Sequence, residues 1–166
     1  MPTHIVPSLR RIPSWIAALG IVLSMPMSLP GQSRSQAFLV RRVIDGDTIE
    51  IATLGRVSLL GIDAPELARN PELSTPIARQ AQQRLSGLLL NRWVRLEYEA
   101  DRPTRSARSA YVFTEDGRFV NEWLVAEGLA RVVPRRGLSR MALLAQAEKE
   151  ARSSRRGIWS NQPPTR

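Results

Sequence analysis

The chain has 166 residues, room for one domain with a buried core and too few for two. Lys and Arg number 24 against 15 Asp and Glu, all of them Arg except Lys149, and the net charge of +9 favours polyanionic partners, nucleic acid or anionic lipid. Cysteine is absent and the one histidine is His4, which excludes disulfides, thiolate nucleophiles and His-containing triads from the body of the chain, and leaves carboxylates, arginines, hydroxyls and a hard cation for any catalysis.

In chain order, Arg10 and Arg11 precede an uncharged stretch, Trp15 to Leu29, followed by polar residues with Ser35 and Ala37 as small side chains. This is the layout of a secretory signal, residues 1–37, with cleavage near Ala37. With Pro26 inside it, the stretch falls short of the roughly 20 residues a spanning helix needs, so no permanent membrane anchor is expected, retention as an uncleaved anchor being the alternative. The exported domain is then 38–160, and 161–166, with two prolines, reads as a disordered tail.

Residues 38–44 and 48–53 are short and β-branched with Asp45-Gly46 between them, a hairpin signal, and 56–60 follow as a third strand after Leu54-Gly55. Ser74-Thr75-Pro76 reads as a cap with a first-turn proline, opening a helix whose apolar positions are Ile77, Ala81, Leu85, Leu88 and Leu89. Residues 93–98 and 110–113 read as strands four and five, and 119–127 as a short helix stopped by Gly128. A last helix from Ser139 to about Ser153 presents Met141, Leu144, Ala145 and Glu148 on its inner face. The order points to an α+β fold, mainly β: a five-stranded barrel of the OB type with three helices, whose strand face binds oligonucleotides.

Four blocks stand in order along the chain: Val43-Ile-Asp-Gly-Asp-Thr48, Gly61-Ile-Asp-Ala-Pro-Glu66, Asp116-Gly-Arg-Phe-Val-Asn-Glu122 with Gly128-Leu-Ala130, and Gly157-Ile-Trp159. Together they resemble the staphylococcal (thermonuclease-like) nuclease family over nearly all of residues 39–160. The resemblance implies an OB barrel, Ca²⁺ as cofactor, and hydrolysis of phosphodiesters in DNA and RNA. It implies Asp47 and Asp63 as the calcium carboxylates, the backbone carbonyl of Ala64 as a third ligand, and Glu66 as the residue that orients or deprotonates the attacking water. A phosphodiester needs this set on chemical grounds also: a metal to polarise the phosphoryl oxygen, a carboxylate near the water, and fixed positive charge for the phosphate. Asn121 resembles the family's asparagine at the start of the middle helix and reads as a buried amide satisfying backbone groups. Trp123 and Trp159 read as packing residues.

The sequence departs from the family at three places. The phosphate-binding arginine five residues before the second aspartate falls at Ser58, and Arg56, on the same strand face, is the candidate substitute. The second arginine falls in a stretch that admits two registers, Arg105 or Arg108. The nucleotide-stacking tyrosines fall at Pro103 and Pro134, and Arg131, Arg135, Arg136 and Arg140 around Pro134 are expected to grip phosphates instead. The expectation is an exported, monomeric, Ca²⁺-dependent nuclease of low sequence specificity. The alternative is an OB-fold protein that binds nucleic acid or a protein partner without cleaving, and a third reading is binding to anionic lipid.

Overall fold

The computed structural model describes residues 36–99 and 109–160. The expected signal segment up to Ser35, Arg105, Arg108 and the expected tail lie outside the described residues. Five strands close into a barrel in the order β1-β2-β3-β6-β5, formed by β1 (Ala37–Val43), β2 (Thr48–Ile51), β3 (Gly55–Leu59), β5 (Trp93–Glu97) and β6 (Ser109–Thr114). All neighbours are antiparallel except β3 and β6, which run parallel and are joined through a helix and β5. The OB-type barrel is therefore present as expected from the strand pattern.

Alternation along the strands fixes which side faces in. Val40, Val43, Ile49, Ile51, Val57, Leu59 and Val94 are buried, whereas Arg41, Arg42, Arg56, Ser58 and Trp93 are exposed on the outer face. The β1–β2 register shifts between Val40 and Arg42, so Arg41 is an extra residue in β1 and two consecutive arginines are exposed there.

Helix α1 (Pro76–Leu89) starts where the sequence placed it: the Thr75 hydroxyl accepts from the Ala78 N–H at 3.3 Å, with Pro76 in the first turn. Its buried residues are Ala78, Ala81, Leu85 and Leu89, while Ile77 and Leu88 are only partly covered. Helices α2 (Val120–Ala126) and α3 (Met141–Ser153) pack on one another, α2 also on β6. Asn121 is fully buried and is the amide expected: its Oδ1 accepts from Val112 N at 3.0 Å, and its Nδ2 donates to Leu60 O at 2.9 Å. It thereby ties β6 to the chain that leaves β3.

The inner face of α3 differs from the expected one. Leu144, Ala147 and Ala151 are buried and Ala145 is exposed. A stripe made mostly of alanine carries too little hydrophobic contrast to fix the phase of a helix from sequence. A second sheet, invisible in the sequence because it is two residues long, pairs β4 (Ile62–Asp63) with β7 (Arg131–Val132). Among the described residues no helix is long and apolar enough to cross a membrane.

Candidate active site at the rim of the barrel

The β1–β2 turn is more than a hairpin connection. Ile44 and Asp45 both donate backbone N–H groups to Thr48 O, and the Asp45 carboxylate accepts the Asp47 N–H at 3.0 Å, an Asx turn. Gly46 is buried, and a Cβ placed there would lie 2.7 Å from the Cβ atoms of both Ala64 and Ala81. Glycine is therefore required here by close packing of the turn between β4 and α1, whereas the sequence had suggested only a turn former.

That packing sets Asp47 against the strand that follows. Asp47 Oδ2 accepts the Ala64 N–H at 2.8 Å, Oδ1 accepts the Thr48 hydroxyl at 3.0 Å, and its backbone carbonyl accepts from Leu59 N at 2.8 Å. Burial is the largest influence on the carboxyl and, with the charge of neighbouring Asp45, raises it to about 6 against the opposing hydrogen bond from Ala64. A half-buried carboxylate held in this way gains from a cation beside it.

Asp63 lies one residue before Ala64, exposed at the end of β4, and Glu66 lies two residues beyond, exposed on an irregular segment. That segment is held at both ends: Ala64 bonds to Asp47, and the Ala68 N–H donates to the hydroxyl of buried Ser74 at 2.9 Å. Ser74, which sequence reasoning placed only in a helix cap, is thus a pin for the Glu66 segment. The Asx turn of Asp45 and the Thr48 hydroxyl are further parts of the site that the motif alone did not specify.

The expected ligands, the carboxylates of Asp47 and Asp63 and the Ala64 carbonyl, offer only oxygen donors, and the Ala64 N–H ties their stretch of chain to Asp47. Among the described residues no group of three or more His, Cys, Asp or Glu is gathered for a metal. Two carboxylates and a carbonyl suit a hard cation that completes its shell with water and substrate oxygens, so the residues fit Ca²⁺.

Ser58, where the family pattern has arginine, pairs with Thr48 on one side and Ser109 on the other, so three hydroxyl residues run across β2, β3 and β6 beside Asp47. Arg56 shares the face but pairs with Glu50, one step further from Asp47 along β3. Arg131 pairs with Asp63 across the small sheet, and its guanidinium lies 4.8 Å from the Trp159 ring centroid. Arg152 covers the same indole at 4.2 Å and pairs with Glu148 at 3.0 Å.

Arg135 and Arg136 are exposed on the segment after β7. Arg140, expected beside them as a phosphate contact, is instead engaged inside the fold: it pairs with Glu97 and lies over Tyr111, Phe113 and Phe119. Its partners are on β5, β6 and the start of α2, too far away in the chain for the local sequence to show them.

An OB barrel with carboxylates at its rim and an arginine-rich outer face belongs to the class of small barrels suited to polyanionic ligands. A family profile described as Staphylococcal nuclease homologue matches residues 56–161. The chain is 39% identical over 132 residues to a thermonuclease of Staphylococcus intermedius, covering 76% of this chain and 77% of that protein. It is 34% identical over 160 residues to a thermonuclease of Staphylococcus hyicus, covering 88% and 94%, and 34% identical over 139 residues to endonuclease YncB of Bacillus subtilis (strain 168), covering 77% and 65%. The chain belongs to the staphylococcal nuclease family.

Proposed function

We propose that this protein is an exported, Ca²⁺-dependent nuclease that hydrolyses phosphodiester bonds in DNA and RNA with little sequence preference. The nuclease part rests on family membership and on relatives that are thermonucleases and an endonuclease. The metal and the residue roles rest on one observation: Asp47 reaches across to the Ala64 N–H, gathering Asp47, Asp63, the Ala64 carbonyl and the Glu66 segment in one short stretch of rim. Export rests on the signal-like segment 1–37.

In this reading Asp47, Asp63 and the Ala64 carbonyl hold the ion, which when bound supplies Lewis-acid polarisation of the phosphoryl oxygen. Glu66 orients water and accepts its proton. The hydroxyls of Thr48, Ser58 and Ser109 offer hydrogen bonds to phosphate oxygens where the family pattern has a guanidinium, and Arg56, with Arg105 or Arg108, supplies positive charge. Arg135 and Arg136 extend that charge to flanking phosphates, and Arg131, beside Asp63, stands between the metal site and the Trp159 stack.

Purified full-length protein incubated with fluorescent single-stranded DNA, in Ca²⁺ and in EDTA, tests the proposal. Cleavage is expected in Ca²⁺ only, and Glu66→Gln is expected to lower it by at least about 10²-fold. Salt-sensitive binding with no cleavage in either buffer would favour the second reading, a nucleic-acid-binding barrel without catalysis, which the hydroxyl at Ser58 motivates.

A further inference from the structure

The outer face of β5, β1, β2 and β3 carries an unusual set of exposed side chains. Trp93 is 48% exposed at the start of β5, paired with Leu39 on β1. The bulge in β1 adds Arg41 and Arg42, and Arg56 follows on β3. On this face Arg42 pairs with Glu50 at 3.0 Å and, along β5 beyond Trp93, Glu97 pairs with Arg95 and Arg140, while Arg41 and Arg56 have no ion pair among the described residues. Two residues along β3 from Arg56 is Ser58, and Ser58 pairs with Thr48, whose hydroxyl bonds to Asp47. The face therefore runs without a break from an exposed indole, across uncommitted arginines, to the carboxylate site.

We propose that this face is a track for single-stranded nucleic acid, in which a base stacks on Trp93 and the backbone crosses Arg41 toward Arg56 and the rim. The proposal rests on the nuclease reading for its direction and goes beyond it, since Trp93, Arg41 and Arg42 belong to none of the motif blocks. From β5 to β3 is three strand spacings of about 4.8 Å, roughly 15 Å in all, room for a few nucleotides of a single strand. Stacking on one aromatic plus guanidinium contacts to phosphate is the chemistry by which such proteins bind single strands without reading sequence. A lipid surface fits less well, because one indole and one half-buried leucine do not make the apolar face that interfacial insertion requires.

The test uses the full chain and its Trp93→Ala, Trp93→Phe and Arg41→Ser variants. Binding of a fluorescent 12-nucleotide oligothymidylate is followed by anisotropy in EDTA over a salt series, alongside binding to vesicles of phosphatidylglycerol and phosphatidylcholine. Trp93→Ala should weaken oligonucleotide binding at least about fivefold, and Trp93→Phe should restore most of it. Arg41→Ser should reduce the slope of log K against log salt by about 0.7.

Oligonucleotide affinity unchanged in Trp93→Ala, or no oligonucleotide binding by the wild type, overturns the track. Vesicle binding that falls in these variants while oligonucleotide binding does not would assign the face to lipid and overturn it too. Trp93-dependent binding without cleavage would leave the track standing and remove the nuclease reading. Cleavage with Trp93-independent binding would do the reverse.

Discussion

The two halves of the molecule use the same residue type in opposite ways. On the outer face of β1 to β3, Arg41 and Arg56 project from strands with no ion-pair partner among the described residues. In the C-terminal part, Arg131 and Arg152 both lie against the ring of Trp159, and Arg140 covers three rings and pairs with Glu97. A guanidinium is weakly hydrated and flat, so where an aromatic surface is available it becomes packing material. Where none is available it remains a charge for a ligand. Net charge alone therefore overstates how much of this surface is open to a polyanion.

The comparison breaks most sharply at the point where the C-terminal part closes. Gly128 and Gly157 cross so closely that a Cβ on Gly157 would sit 2.1 Å from Gly128 O, and Gly157 also has a φ of +52°. Ile158 N donates to Gly128 O at 2.9 Å, and this crossing places Trp159, the next residue, against Arg131 and Arg152. Gly157→Ala should cost about 3 kcal/mol or more through overpacking onto backbone and left-handed strain. The melting temperature should fall by roughly 10 °C for a domain of this size, measured by circular dichroism. A fall of only one or two degrees would mean that the crossing opens easily and that the stack is not held by it.

A smaller contrast separates the two kinds of arginine directly. Arg140→Ala removes an ion pair and uncovers Tyr111, Phe113 and Phe119, and should cost about 2 kcal/mol. Arg41→Ser, on an exposed bulge, should change stability by less than about 0.5 kcal/mol. Urea titrations of the two variants that gave equal midpoints would remove the distinction between cementing and ligand-facing arginines.

Much of the barrel was readable because strand alternation and the Thr75-Pro76 start of α1 are local signals with a direct physical cause, while the buried amide of Asn121 was read from the family resemblance. What could not be read depends on partners far along the chain. Arg140 looked like part of a basic loop because its rings come from β6 and the start of α2. The pairing of Asp63 with Arg131 rests on a ladder two residues long, below any period that sequence can show. Gly46 looked like turn chemistry, whereas its neighbours Ala64 and Ala81 lie far from it in sequence. At the rim, the motif named Asp47, Asp63 and Glu66, but not the Ser74 hydroxyl that holds the Glu66 segment, because a serine ahead of a helix carries a sufficient explanation as a cap.

The finest test of the comparison is a pH dependence at Glu97. Burial on its own would raise this carboxyl, but hydrogen bonds from Arg140 and Arg95, together with their charges, outweigh it and hold Glu97 below the usual glutamate value of 4.5. A carboxyl lowered in the folded state stabilises the fold above its unfolded value and loses that contribution as pH falls through its folded value. Replacing it by Gln should cost about 1 kcal/mol at pH 7, the side chain being one-third exposed and partly screened. The stability gap between wild type and Glu97→Gln should stay level from pH 7 to about 5, then close as pH drops toward 3. Arg140→Ala should show a gap that closes over the same range only in part, since its ring contacts do not titrate. If both gaps closed completely, the Arg140 contribution would be charge alone and its cover over the three rings would add nothing; if neither closed, Glu97 would not be the anion that holds it.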